Sequence, residues 1–300
     1  MDTTLICDEI KLNLSSNGES QRLFHGRGEL FKDHQHINID IFPPHLLITL
    51  YRPESQEALD RLMRDLVTLI PRLEGIIVQR RHKRGAPSEI LWGTISENPI
   101  AQEEGLKFHL SLAAQQNIGF FLDMSLARKF LLENSKNKRV LNLFAFTGAF
   151  SIAAIAGGAE SCVNFDMSRK SLTTARNNHR LNEHDTQKVQ FFAHDILKSF
   201  NKIKKMAPFD IIVIDPPSDQ GSSFKVDRDY QKIVRRLDTF LSDEGLVIAC
   251  LNSPHHSREF LENLFKENAP HLQLAQTIGR PPSFKEFQED RGLKIQVYRQ

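Results

Sequence analysis

"RVLNLFAFTGAFSIAAIAGGAESCVNFD", Arg139 to Asp166, decides the fold. "RVLNLFAF" is a continuous apolar run, the pattern of a strand buried on both faces. "TGAFSIAAIAGGA" reads as a helix of small residues, and "ESCVNFD" is again a strand. A strand, a crossover helix and a second strand make a βαβ unit, and a right-handed crossover packs the helix back onto a parallel sheet.

The alternation extends along the rest of the chain. "DMSLARKFLLENS" (Asp123–Ser135) is helical ahead of the quoted stretch. After it come a helix over "SRKSLTTARNNHRLN", strands over "VQFFAHD" and "FDIIVID", and a helix over "KVDRDYQKIVRRLDTFLSDE" (Lys225–Glu244). A strand over "GLVIACLN", a helix over "SREFLENLFKENA" and a last strand over "LKIQVYRQ" complete the chain. The expectation is a mostly parallel sheet covered by helices on both faces, occupying residues 116–300.

Residues 1–115 read differently, as a smaller α+β domain. The stretch before Pro43-Pro44 is polar and glycine-punctuated, so it predicts short strands and loops. "HLLITLYR" is a strand. "ESQEALDRLMRDLVTLIPRL" carries Leu59, Leu62, Met63, Leu66 and Ile70 at helical spacing, and "GIIVQRR", "EILWGTI" and "GLKFHLSL" are strand-like.

The formal net charge is +2, with 40% apolar and 25% charged residues, an ordinary balance for a globular protein. No apolar run is long enough to span a bilayer. The start lacks a basic region followed by an apolar one, so no secretory leader is expected. Cys7, Cys162 and Cys250 are widely spaced and form no zinc pattern or disulfide framework; a reducing cytoplasm is the expected home. His34 and His36 in "DHQH" resemble two metal ligands without further partners, so no metal is expected and both are read as surface residues. "QRRHKRG" concentrates Arg80, Arg81, Lys83 and Arg84, and "KSFNKIKK" forms a second basic set. Each is either a solvated face or a phosphate-contacting one.

In a doubly wound sheet, ligands bind outside the carboxyl ends of the strands. Three strand ends there carry suggestive residues. Gly148 stands in the turn "FAFTGAF", where a missing Cβ admits close approach, but the turn lacks the glycines of a dinucleotide fingerprint. Asp166 ends the next strand and fits a ribose diol, or else caps the following helix. Asp195 ends a third and fits an adenine amino group, or is likewise a cap. Ribose and adenine without a phosphate cradle suggest S-adenosylmethionine.

"GFFLDMSLAR", "VLNLFAFTGAFSIAAIAGGA", "NFDMSRKSLTTARNNHRLN", "HDIL" and "FDIIVIDPPS" together resemble the successive motifs of class I S-adenosylmethionine-dependent methyltransferases. The resemblance is closest to the bacterial 23S rRNA methyltransferases that act on cytosine C5 or guanine N7, and runs from about Leu73 to the C-terminus. It implies a Rossmann-like, seven-stranded sheet with an antiparallel C-terminal strand, and methyl transfer to structured RNA. It places Phe120, Phe121 and Asp123 beside the cofactor, Phe146, Thr147 and Gly148 at its methionine end, Asp166 and Met167 at the ribose and adenine, and Asp195 with Ile196 at the adenine edge. Asp123-Met124-Ser125 stands where members often have Asp-Gln-Arg, with Arg128 further on. RNA gripping would fall to the first 115 residues, the Arg80–Arg84 cluster included.

The substrate side begins at Asp215-Pro216-Pro217-Ser218. Two prolines fix the corner, so a carboxylate and a proline carbonyl can face a base edge. Enzymes that methylate exocyclic amines usually place an aromatic residue after the prolines; here Ser218 stands in that place. Phe224 is either a stacking surface or a core residue. Cytosine C5 needs a cysteine thiolate added at C6. By distance from Gly245, Asn252 takes that cysteine's place, as in guanine-N7 relatives. Cys250, two residues earlier, reads as core, as does Cys162. The catalytic set is therefore Asp215, Pro216, Pro217 and Asn252. Two further readings stay open: an RNA-binding protein with an inactive methyltransferase fold, and an enzyme acting on a protein or small molecule.

Overall fold

The computed structural model describes residues 1–113, 117–220 and 224–300. They form two compact units, Met1–Leu122 with Pro281–Phe287, and Asp123–Arg280 with Gln288–Gln300. The boundary expected between 115 and 116 lies outside the described residues.

The first unit opens with helix α1 (Thr3–Asn13), where the sequence reading expected only strands and loops. Asp2 caps it by accepting the Thr4 and Leu5 N–H groups, and Ile6 and Ile10 bury one narrow stripe. Strands β1 (Gln21–His25), β2 (Ile37–Phe42) and β3 (His45–Leu50) follow. Helix α2 (Gln56–Leu69), capped by Ser55, then crosses over to β4 (Gly75–Arg80), and β5 (Ser88–Gly93) ends the sheet. The order is β1-β2-β3-β4-β5, with only β3 and β4 parallel. Ile37, Ile39, Ile41, Ile48, Ile76 and Val78 turn one face of this sheet onto Ile6, Ile10, Leu59, Leu62 and Leu66 of the two helices. The hairpin of β6 (Ile100–Glu103) and β7 (Leu106–His109) closes the unit.

His34 and His36 are buried, 4% and 6% exposed, rather than on the surface. His34 meets the Lys32 carbonyl at 2.7 Å and the Asp2 backbone; His36 meets Glu54 at 3.2 Å. They are structural pins between the loop and its neighbours. No group of three or more His, Cys, Asp or Glu side chains among the described residues is arranged to hold a metal ion.

The second unit contains α3 (Ser125–Asn134), β8 (Arg139–Leu143), α4 (Ala149–Ala156), β9 (Ser161–Asp166), α5 (Arg169–Leu181) and β10 (Val189–Ala193). Next come α6 (Phe200–Lys204), β11 (Phe209–Ile214), a short ribbon of β12 (Asp219–Gln220) and β13 (Phe224–Lys225), and α7 (Gln231–Val234). The chain ends with β14 (Leu241–Leu251), α8 (Arg258–Asn268), β15 (Gln273–Ile278) and β16 (Lys294–Arg299). The sheet order is β10-β9-β8-β11-β14-β16-β15. Its first five strands are parallel, and β16 lies antiparallel to both neighbours. Alternation divides the strands between two cores. Leu141, Phe165, Ile212, Ile214 and Val247 pack with α7 and α8, while Val140, Cys162, Ile211, Val213 and Cys250 pack with α3 and α4. Helices thus cover both faces.

The helix expected over 225–244 is broken up. A π-turn over Val226–Tyr230, α7 and a 3-10 turn over Leu237–Thr239 replace it, and Leu241 already pairs with Phe209 in the sheet. The register then shifts before Ile211 meets Leu246, so the polar "SDEG" is an irregularity within β14. Strand β15, absent from the sequence reading, is exposed along most of its length, which leaves no apolar alternation to betray it.

Candidate active site

The parallel strands direct their carboxyl ends to one edge of the sheet. The order reverses between β8 and β11, since β9 and β10 lie on one side and β14 on the other. That reversal is where an open α/β sheet forms a ligand crevice. The segments after β8 and β11, Phe144–Gly148 and Asp215–Ser218, flank it.

The loop after β8 is tightly wound. Phe144, Phe146 and Gly148 have φ of 60°, 47° and 78°, and bulky residues occupy that region only where the surroundings impose it. Ala145 N–H donates to the Phe165 carbonyl at 3.0 Å. Phe146 N–H donates to Asp166 at 2.8 Å, and the Asn178 amide donates to the Thr147 carbonyl at 3.0 Å. A Cβ on Gly148 would stand 2.8 Å from the Ala175 Cβ, so only glycine lets α5 approach here.

Asp166 is not the cap of α5; Ser168 is, accepting the Ser171 N–H at 3.1 Å. Asp166 instead holds Phe146 N–H on one oxygen and Ser168 N–H, at 2.7 Å, on the other. Burial pushes its carboxyl up while these two donors pull it down. Each oxygen keeps a further lone pair for an incoming donor. Asp195 takes the alternative open to it: it caps the 3-10 turn Ile196–Lys198, accepting Leu197 N–H at 2.9 Å. Ile196 lies in the core at 3% exposure, whereas Met167 is 51% exposed. Phe120 and Phe121 belong to the first unit, where Phe120 packs on Phe108 with ring centroids 4.5 Å apart.

Across the reversal, Asp215 keeps only part of its surface exposed. Burial first, and then the like charge of Asp123, raise its carboxyl from 3.8 to about 7; buried Arg128 opposes the rise. Arg128 therefore serves this carboxylate pair from one turn along α3. Pro216 is buried. The Ser218 hydroxyl donates to the Asn252 backbone carbonyl, joining the two corners, while the Asn252 side chain lies at the exposed end of β14. Phe224 resolves to the core, 2% exposed and edge-on to Phe144 at 5.1 Å. Cys250 and Cys162 are 0% exposed. Burial, with Asp215 and Asp123 adding to it, drives the Cys250 thiol well above its ordinary value, and burial raises Cys162 to about 12.

Three contributors escaped the sequence reading. Tyr230 is fully buried and its hydroxyl lies 3.1 Å from the Cys250 carbonyl and 3.4 Å from that of Ile214, clamping the ends of β14 and β11. Lys294, 2% exposed, donates to the Ser253 and Asp290 carbonyls at 2.5 and 2.8 Å. Asn178 holds the β8 loop.

The basic cluster at the end of β4 divides. Arg80 pairs with Glu89, and Arg81 donates to Gln79 at 3.1 Å and Asn117 at 3.3 Å. Lys83 and Arg84 are exposed.

A strand-end aspartate, a wound glycine loop and an Asp-Pro-Pro corner thus stand along the carboxyl ends of the strands, where an open α/β sheet takes its ligand. Residues 21–299 match the S-adenosylmethionine-dependent methyltransferase family, and the chain belongs to it: it is an S-adenosylmethionine-dependent methyltransferase. It is 29% identical over 296 residues to a Bacillus subtilis (strain 168) protein provisionally named ribosomal RNA large subunit methyltransferase YwbD, covering 91% of this chain and 73% of that one. It is 32% identical over 226 residues to ribosomal RNA large subunit methyltransferase K/L of Shewanella loihica, covering 71% of this chain and 32% of that protein. The chain thus spans about a third of that relative's length. Its fold superposes on SMU.776, a provisionally assigned methyltransferase crystallised with SAH, with a TM-score of 0.89 at 24% identity, over all of this chain and 82% of that one. Among the described residues no helix is long and apolar enough to cross a membrane.

Proposed function

We propose that the chain methylates a base of ribosomal RNA in the cytoplasm, and that the target is guanine N7 in preference to cytosine C5. The observation that carries this is the state of the cysteines. A C5 enzyme needs a thiolate that reaches C6. Cys250 and Cys162 are sealed in the core with raised thiols, and Asn252 occupies the corner beyond β14. Guanine N7 carries its own lone pair, so positioning suffices. The relatives' names supply the RNA class.

The site residues fit the cofactor. Asp166 would take the ribose hydroxyls on its remaining lone pairs, with Met167 beside it and the Phe146-Thr147-Gly148 loop at the methionine end. Asp123 and Ile196 would complete the set within this unit. Asp195 caps through one oxygen and would turn its other oxygen to the adenine amino group. When bound, S-adenosylmethionine supplies an electrophilic methyl on a sulfonium. Transfer to N7 would form the new N–C bond as the C–S bond broke with its electron pair, would lose no proton, and would leave a positive charge on the ring. Asp215 and the Pro216 carbonyl, held by Pro217, would face that charge, and Asn252 would orient the base edge. Arg80, Arg81, Lys83 and Arg84 would hold phosphates.

The test is methyl transfer from labelled cofactor to ribosomal RNA, followed by nucleoside mass spectrometry. 7-Methylguanosine is expected; 5-methylcytidine or an N-methylated exocyclic amine would overturn the base assignment. Cofactor at a hundred times its dissociation constant should stabilise the parent by about 2.7 kcal/mol and Asp166→Ala far less.

A further inference from the structure

The sheet of the first unit gathers a second feature at one end. β3 and β4 run parallel with Leu50 opposite Arg80, Ile37 at the start of β2 faces Leu50, and His25 at the end of β1 faces Asn38. The segments leaving at this end therefore carry Arg27, Tyr51, Arg52 and Arg81–Arg84 side by side. Arg27 is exposed, with its guanidinium carbon 4.3 Å from the Tyr51 ring centroid; that of Arg81 lies 5.8 Å from the same ring.

The platform is fixed from beneath. Tyr51 N–H donates to the His36 carbonyl at 2.7 Å, and Arg27 N–H to Asn38 at 3.3 Å. A Cβ on Gly26 would fall 1.9 Å from the His34 carbonyl oxygen, so the loop bearing Arg27 sits directly on its neighbours. Glu89 pairs with Arg80 and Glu54 faces His36, while Arg52, Lys83 and Arg84 are exposed on the segments leaving β3 and β4.

We infer that this end of the first unit docks an unpaired RNA segment, with Arg27, held over the Tyr51 ring, stacking a splayed base while Lys83 and Arg84 contact its phosphates. A guanidinium held on an aromatic face offers a planar outer surface and a hydrogen-bonding edge at once. A nucleotide is both planar and anionic and uses both; an acidic peptide would use only the charge. The inference rests on the RNA reading above and adds a base-stacking site that neither the charge run nor the methyltransferase motifs imply.

The test is binding of the full chain to a fluorescein-labelled 20-nucleotide single-stranded RNA of mixed sequence, and to the same strand annealed to its complement, across a salt series. Arg27→Lys keeps the charge and should weaken single-strand binding about tenfold with the salt slope unchanged, as should Tyr51→Leu. Lys83→Ala with Arg84→Ala should instead flatten the slope of log K against log salt by about 1.4. An unchanged cofactor-induced thermal shift shows that each variant is folded. Equal affinity of Arg27→Lys and parent, equal loss on the duplex, or displacement of the RNA by polyglutamate at matched charge would overturn the inference while ribosomal RNA methylation by the parent stood. A parent that neither binds nor methylates RNA would overturn the functional reading as well.

Discussion

Asp215→Asn should make the protein more stable in mildly alkaline solution and nearly inactive. In the folded chain the carboxyl releases its proton near pH 7, and in the unfolded chain near 3.8. The folded state therefore holds a proton roughly a thousandfold more tightly, equivalent to about 4 kcal/mol at the limit. Because the folded value is raised, stability is complete below pH 3.8, falls as pH climbs through the interval, and levels off above 7. Asparagine has the same shape and no charge to repel Asp123, so the variant escapes the fall. The advantage of the variant should already be about 1.6 kcal/mol at pH 5 and grow to at most about 4 kcal/mol by pH 8, less whatever solvent at the partly exposed side chain screens. Thermal melting of cofactor-free protein at intervals from pH 5 to 8.5 reads this as a gap that widens to roughly 8–16 °C. A gap independent of pH, or a parent more stable than the variant at pH 8, would refute the assignment of burial and Asp123 as the cause. Methyl transfer should drop by about two orders of magnitude, since an acceptor aimed at developing charge is lost.

Gly148→Ala should cost about 1–3 kcal/mol and shrink the cofactor-induced thermal shift, because the new methyl meets Ala175 at 2.8 Å in a left-handed backbone; adding Ala175→Gly should restore part of the loss. Tyr230→Phe removes the one hydroxyl proton that the Cys250 and Ile214 carbonyls share and should lower the unfolding free energy in urea by about 1–3 kcal/mol, with slower transfer at unchanged cofactor affinity. Cys250→Ala should retain transfer per folded molecule within a few-fold; a loss of several orders of magnitude would restore the cysteine-activated mechanism.

The alternation of strands and helices in the second unit is legible because buried parallel strands are continuous apolar runs with helices between them. The N-terminal helix was not. Only Thr3, Ile6 and Ile10 of α1 are buried, and Asp, Glu, Lys and Asn around them look like a loop. "SDE" reads as a helix end because a register shift inside a strand exposes polar residues much as a turn does. At the site, residues fixed by the local chain were readable: aspartates at strand ends, a glycine in a turn, a proline pair. Whether such an aspartate caps its own helix was not readable, and Asp166 and Asp195 took opposite answers. Tyr230, Lys294 and Asn178 reach the site from elements distant in sequence, and nothing in their own neighbourhoods announces the carbonyls they hold.

Those distant donors change what Ser218 and Asn252 mean. In the sequence they were side chains that disfavoured one base and favoured another. In the structure the Ser218 hydroxyl is spent on the Asn252 carbonyl, Tyr230 spans the Ile214 and Cys250 carbonyls, and Lys294 holds that of Ser253. The ends of β11 and β14 are thereby tied to each other and to the body of the unit. On the proposed function, Asp215 and the Pro216 carbonyl are acceptors whose positions are set before a base arrives, so little reorganisation is left for the transfer itself. Ser218 then argues against amine methylation for a second reason. Its place in the tether leaves the corner after the prolines to a structural bond, where an aromatic ring would have had to stand clear and stack.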